Sequence, residues 1–170
     1  KLRGQWGEAS LEHILSQHFP SELYKMQYLF STGEQVDAVL KLPNGKLLPI
    51  DAKFPQEDYQ RLMDTQDADS QKEAGDQLEK RIRAEAKDIA QKYIDPPNTT
   101  DFGILFLPTE GLYAEVLRRP GLCDILRRDF RVIVSGPTTL AALLNSLQMG
   151  FRTLAVEKRA SEVWSLLGAV

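Results

Sequence analysis

The chain has 170 residues, 42% of them hydrophobic and 26% charged, with 11 glycines, 9 prolines and one cysteine. That size suits one globular domain burying roughly 70% of the surface its unfolded chain exposes, and it excludes collagen-like, wholly disordered and disulfide-stapled folds. The net charge of −3 argues against nucleic acid, but residues 57–76 alone hold seven acids and two bases; setting that net −5 aside leaves +2 on the other 150 residues.

A lone Cys123 cannot close an internal disulfide, which points to a reducing, cytoplasmic setting. No run approaches the ~20 apolar residues of a membrane span, and no signal peptide opens the sequence. The chain starts at Lys1 inside a helical pattern and stops after another. It reads as a single domain, 1–170, excised from a longer chain.

In chain order, residues 3–18 read as a helix with Trp6, Leu11, Ile14 and Leu15 on its apolar stripe, ended by Phe19-Pro20. Strand-like runs follow at 25–30, 36–42 and 47–54. Residues 57–76 are a loop or a solvated helix. A helix over 77–93 presents Leu78, Ile82, Ala86, Ile89 and Tyr93, and Asp95-Pro96-Pro97-Asn98 breaks it. Phe102–Leu107 reads as a buried strand, 110–118 and 122–129 as short helices, and Arg131–Ser135 as a strand. Gly136-Pro137 sets Pro at the start of a helix over 138–149. A last helix, 153–167, has Leu154, Val156, Val163, Leu166 and Leu167 as core candidates. Strands mixed with helices in this order predict an α/β sheet flanked by helices.

The chemistry concentrates around Pro43-Asn44-Gly45. As a three-residue hairpin loop with Gly in the left-handed position, it pairs Leu42 with Lys46 and sets Asp37 opposite Asp51, with Lys53 on the same face. A two-residue Asn-Gly turn would instead separate the aspartates, and Pro49, which cannot donate to a ladder, adds a bulge or edge as an option. Facing carboxylates repel unless one is protonated or a cation lies between them. Mg²⁺ is often held by one or two carboxylates plus water and phosphate, so the trio suits metal-assisted phosphodiester hydrolysis. The alternative is two aspartates at strand ends. A second acid-x-Lys triplet, Glu85–Lys87, lies in the 77–93 helix, where residues two apart do not share a face.

Asp37 followed by Asp51-Ala52-Lys53 resembles the PD-(D/E)XK nuclease motif, with Val36 where that motif has Pro. More broadly, Trp6-Gly7-Glu8, Val36-Asp37, Leu42-Pro43-Asn44-Gly45-Lys46, Ile50-Asp51-Ala52-Lys53, Asp101-Phe102 leading to Phe106-Leu107-Pro108-Thr109-Glu110-Gly111, and Pro137-Thr138-Thr139-Leu140 resemble the nuclease-like domain of the RmuC family. The resemblance implies a restriction-endonuclease-like core, a four-stranded mixed sheet in αβββαβ order flanked by helices. It implies Asp37 and Asp51 as ligands of Mg²⁺ or Mn²⁺, with the Ala52 carbonyl and Glu8 as further ligands, and Lys53 as the catalytic lysine. It implies a role in DNA recombination that restrains inversion, and a parent chain with an amino-terminal hydrophobic segment and a coiled coil through which copies associate. A catalytically silent DNA-binding module and a coiled-coil scaffold are the competing functions.

Other residues have plainer readings. Glu110 complements a helix dipole or supports the site. His13 and His18, about 140° apart around a helix, cannot clamp one metal, and Cys123 is core. Arg118, Arg119, Arg127, Arg128 and Arg131 form either a solvated face or a phosphate track. No base-reading motif is present, so DNA would be recognised by shape or ends.

Overall fold

Period-two alternation and short apolar runs place five strands in this sequence, and the computed structural model, which describes residues 2–168, joins them in one sheet. Helix α1 (Leu2–His18) leads through a single 3₁₀ turn to β1 (Tyr24–Leu29), β2 (Gln35–Lys41) and β3 (Leu47–Ala52). Helices α2 (Gln56–Asp64) and α3 (Ala68–Tyr93) precede β4 (Gly103–Phe106). Helices α4 (Glu110–Arg118) and α5 (Leu122–Phe130) precede β5 (Val132–Ser135), and α6 (Pro137–Gly168) follows. The sheet order is β1-β2-β3-β4-β5; the first three strands pair antiparallel, and β3-β4 and β4-β5 pair parallel. The sheet is therefore mixed, with one strand more than the resembled core.

Each face of the sheet is covered. Leu78, Ile82, Ala86 and Ile89 of α3 pack with Leu112, Val116, Leu122 and Leu126 of α4 and α5 against one face. Leu11, Ile14 and Leu15 of α1 and Leu140 and Leu144 of α6 cover the other. Within β3 and β4 the burial is nearly continuous, as expected of strands covered on both sides.

The hairpin register follows the three-residue loop. Leu42 N–H donates to the Lys46 carbonyl at 2.9 Å, Gly45 adopts φ +82°, and Ala38 faces Ile50. Pro49 causes no bulge. It faces Val39 at a pair whose amides point away from β2, in the gap between the Leu47–Thr99 bridge and the β3–β4 ladder.

The helical expectations need three corrections. The acidic stretch 57–76 takes the solvated-helix alternative, holding α2 and the first turns of α3, so the helix expected over 77–93 starts instead at Ala68 and runs 26 residues, capped by Asp67, whose Oδ2 accepts the Ser70 N–H at 2.9 Å. Helices 138–149 and 153–167 are one 32-residue helix, α6. Its outer half leaves the domain, so Leu154, Val156, Val163, Leu166 and Leu167 are exposed rather than core. The periodicity was that of an amphipathic helix, but a stripe does not say what covers it. Trp6 is likewise half exposed. No helix among the described residues is long and apolar enough to cross a membrane.

Replacing Ile82, fully buried, with Ala should cost about 2–5 kcal/mol in urea denaturation. Trp164→Ala, at 73% exposure, should change stability by no more than about 0.5 kcal/mol.

Candidate active site

The β2–β3 ladder gives way at its open end to side chains. Asp51 Oδ1 accepts the Asp37 N–H at 3.3 Å, and Asp37 Oδ2 accepts the Ala52 N–H at 2.8 Å. Each carboxylate thus caps the backbone of the opposite strand, and the two stand side by side where a further rung would lie. Asp51 is 4% exposed. Lys53 Nζ lies 2.9 Å from Asp51 Oδ2, on the same face.

Burial pushes the Asp37 carboxyl above the ordinary range, opposed by its bonds from Asp51 and Ala52 and reinforced by Glu8. Asp51 is pushed up to about 7, by burial first and then by the Asp37 charge, with Lys53 pulling the other way. Burial works to lower the Lys53 pKa, but Asp51 and then Glu85 outweigh it, and the ammonium stays charged well above its ordinary value.

Helix α1 reaches this site because Trp6-Gly7-Glu8 packs three ways. Trp6 meets the Phe54 ring at 5.6 Å. A Cβ on Gly7 would lie 3.2 Å from Pro108 Cγ and 3.6 Å from Ala52 Cβ, so the missing side chain lets the helix lie against the end of β3. Glu8 then lies near enough to Asp37 to raise its carboxyl further, and accepts from Gln27 Nε2 at 2.8 Å. The structure therefore gathers Glu8, Asp37, Asp51, Ala52 and Lys53, as the sequence anticipates, although Ala52 meets Asp37 through its N–H.

Three neighbours were missed. Glu85 and Asp88 of α3 lie 3.2 and 3.7 Å from Lys53 Nζ. Glu85 belongs to the second acid-x-Lys triplet, and only the packing of α3 on the sheet brings it here. Gln27 adopts φ +51° within β1, a conformation rare for a non-glycine residue and worth about 1–3 kcal/mol of strain. The only sequence signal for it was a polar residue amid a strand.

Other expectations resolve locally. Glu110 Oε1 accepts the Thr138 N–H at 2.6 Å, so this acid ties α4 to the start of α6. Thr139 Oγ1 accepts the Gly136 N–H at 2.8 Å, the helix-start chemistry of that block. His13 is exposed and His18 half-buried, while half-buried Cys123 packs on the core. The five arginines all face acids. Arg119 lies over Gly75 and bonds Asp76 at 2.7 Å and Glu79 at 3.3 Å. Arg118, Arg127, Arg128 and Arg131 meet Glu115, Asp124, Asp129 and Asp101 and are largely exposed.

Among the described residues, no three His, Cys, Asp or Glu side chains are grouped to hold a metal ion. The site offers one buried and one half-buried carboxylate, both raised in pKa by burial first. That donor set fits a hard divalent cation of the Mg²⁺ kind, which takes one or two protein carboxylates and completes its shell with water and phosphate.

A carboxyl raised in the fold binds its proton more tightly there than when unfolded, so stability falls as pH rises from about 4 through 7. Asp51→Asn removes the Asp51 share of that dependence. Its melting temperature should match the wild type near pH 4 and exceed it increasingly from pH 5 to 8, read by thermal unfolding. Separately, Arg119→Ala should lower stability by roughly 1–3 kcal/mol, because it strands two acids on α3, whereas Arg118→Ala should stay within about 0.5 kcal/mol.

The RmuC family model matches residues 1–170. A protein named DNA recombination protein RmuC homolog from Xylella fastidiosa (strain Temecula1) is 55% identical over 181 residues, covering all of this chain and 40% of that protein. Proteins of the same name from Chlamydia pneumoniae and Pseudomonas aeruginosa are 31% and 29% identical, over 98% and 100% of this chain. The chain spans about two fifths of the length of these relatives. No solved structure matches it.

Proposed function

The chain belongs to the RmuC family, and from that premise we propose that it acts on DNA in recombination, as a metal-dependent nuclease domain that hydrolyses phosphodiester bonds and limits inversion or rearrangement. The reading that the chain has a PD-(D/E)XK core is part of this proposal. One observation carries it: Asp37, half-buried, and Asp51, buried, stand together, with the Lys53 ammonium 2.9 Å from Asp51. A molecule selected only to bind a polyanion has no use for two desolvated carboxylates, which repel both each other and phosphate.

Asp37 and Asp51 would hold Mg²⁺ or Mn²⁺, with Glu8 and the Ala52 carbonyl as added oxygen donors. A cation held there would supply Lewis acidity at the scissile phosphate and lower the pKa of an attacking water. Lys53 places a permanent positive charge where negative charge builds on the phosphate in the transition state. Glu85 and Asp88 keep that ammonium charged and in place when Asp51 takes another partner. Gln27 fixes Glu8. No side chain serves as a covalent nucleophile. Exposed Arg118, Arg127, Arg128 and Arg131 are the candidates for phosphate contact, while Arg119 is committed to α3.

The exposed outer half of α6 favours a second, compatible role in assembly: Val156, Ala160, Val163 and Leu167 recur at alternating spacings of four and three, the spacing of a coiled-coil seam.

The test is cleavage of linear, nicked, branched and single-stranded DNA with Mg²⁺ or Mn²⁺. Asp51→Asn and Lys53→Ala should each lose at least about 100-fold in rate while staying folded. A folded wild type that cleaves none of the panel overturns the nuclease reading in favour of a DNA-binding module.

A further inference from the structure

On the α3 side of the hairpin lies a groove of about 610 Å³, lined by none of Glu8, Asp37, Asp51 and Lys53, that the roles above do not use. It exists because the left-handed Gln27 changes which way the edge of the sheet faces. Before it, Met26 packs in the core under α1 and α6; after it, Tyr28 and Phe30 pack on the α3 side. The same switch occurs on β2, between Ala38 and Val36. The tip of this hairpin therefore curls over the end of α3 and brings an aromatic wall with it. Tyr28 meets Phe30 edge-on at 5.1 Å, and Phe30 stacks on Tyr93 at 6.1 Å and 23°.

The other walls carry Lys46 from the hairpin loop, Lys92 from α3, and Asn98. Asp95 is the acid among the lining residues, and its carboxylate accepts from Asn98 Nδ2 at 3.1 Å. The groove joins the site through a shared carboxylate: Asp88 Oδ1 lies 3.0 Å from Lys92 Nζ, and Asp88 Oδ2 lies 3.7 Å from Lys53 Nζ.

We propose that this groove seats unpaired nucleotides flanking the scissile phosphate, so that the domain takes single-stranded DNA, or frayed duplex ends, in preference to continuous duplex. The proposal rests on the nuclease reading of the neighbouring site. Aromatic rings offer a stacking surface that any base can use, and lysines along the same groove follow the backbone. The volume lies within the range of small-ligand pockets, enough for one or two nucleotides and too little for a duplex. A base stacked within a duplex has no free face to give Tyr28 or Phe30. An unpaired base does.

The test is fluorescence anisotropy in EDTA, where nothing is cleaved, with a short oligothymidylate and a blunt duplex of equal length as probes. The wild type should bind the single strand more tightly. Lys46→Glu, on an exposed loop, should weaken single-strand binding by about tenfold and duplex binding by far less, and Tyr28→Leu by about fivefold, with circular dichroism unchanged. Single-strand affinity within twofold of wild type in Lys46→Glu, or an equal loss on both probes, overturns the proposal. Cleavage is scored separately. Groove-dependent affinity in a protein that never cleaves overturns the nuclease reading alone, and Asp51-dependent cleavage with Lys46-independent affinity overturns the groove alone.

Discussion

Two carboxylates side by side, Asp51 buried and Asp37 half-buried, are the constraint around which this molecule is arranged. Left alone, such a pair either protonates or pulls its strands apart. Here three groups oppose the repulsion: the amides of Asp37 and Ala52, each donating to the other strand's carboxylate, and the Lys53 ammonium. The amides come at no packing cost, because the ladder has ended and those N–H groups would otherwise need partners. The remaining deficit, owed to burial first and then to Asp37 at Asp51 and to Glu8 at Asp37, appears as the raised pKa of both acids. A molecule that keeps such a deficit is less stable at neutral pH than one with asparagine there, and is primed to gain from any cation that fills it.

The elements around the pair are shaped to keep it open yet narrow. Gly7 brings α1 against Ala52 and Pro108, closing the site from one side with Glu8. Helix α3 closes it from the other, and its Glu85 and Asp88 hold Lys53 rather than the carboxylates. Lys53 thus has three acidic partners, so losing one does not leave its charge uncompensated. Behind the site, the bond from the Thr138 amide to Glu110 fastens the helices that follow β4 and β5 to each other.

The parts of this arrangement that short-range rules govern could be read in the sequence. A hairpin loop of known length fixes which residues face each other, so Asp37 and Asp51 could be paired by arithmetic, and period two then put Lys53 on their face. Helix α3 showed through its apolar spacing, although the charged surface of its first turns hid where it began. What could not be read depends on tertiary placement. Glu85 and Asp88 are ordinary polar-face residues until α3 docks, and Gln27 is unremarkable until its backbone turns left-handed. Helix α6 fails differently. Leu154, Val156, Val163, Leu166 and Leu167 have the composition of a core face, and composition carries no information about which partner, if any, lies opposite.

The same distinction between composition and placement governs charge. Counting residues suggested a weakly basic body carrying one acidic segment, with arginines enough for a phosphate track. In the folded chain that segment is spent internally: Asp76, together with Glu79 just beyond the segment, neutralises Arg119, and Asp58 meets Arg81. The remaining arginines of the stretch sit beside acids three residues away or closer in space. Exposed pairs of that kind are worth little and exchange readily for a phosphate, but each exchange leaves behind an acid that repels the same phosphate. Attraction for a polyanion is therefore weak over most of this surface. It has to arise where lysines and flat rings share one surface, at the curled edge of the sheet, where Lys46 and Lys92 line a groove with Tyr28 and Phe30 although Asp88 and Asp95 stand among them.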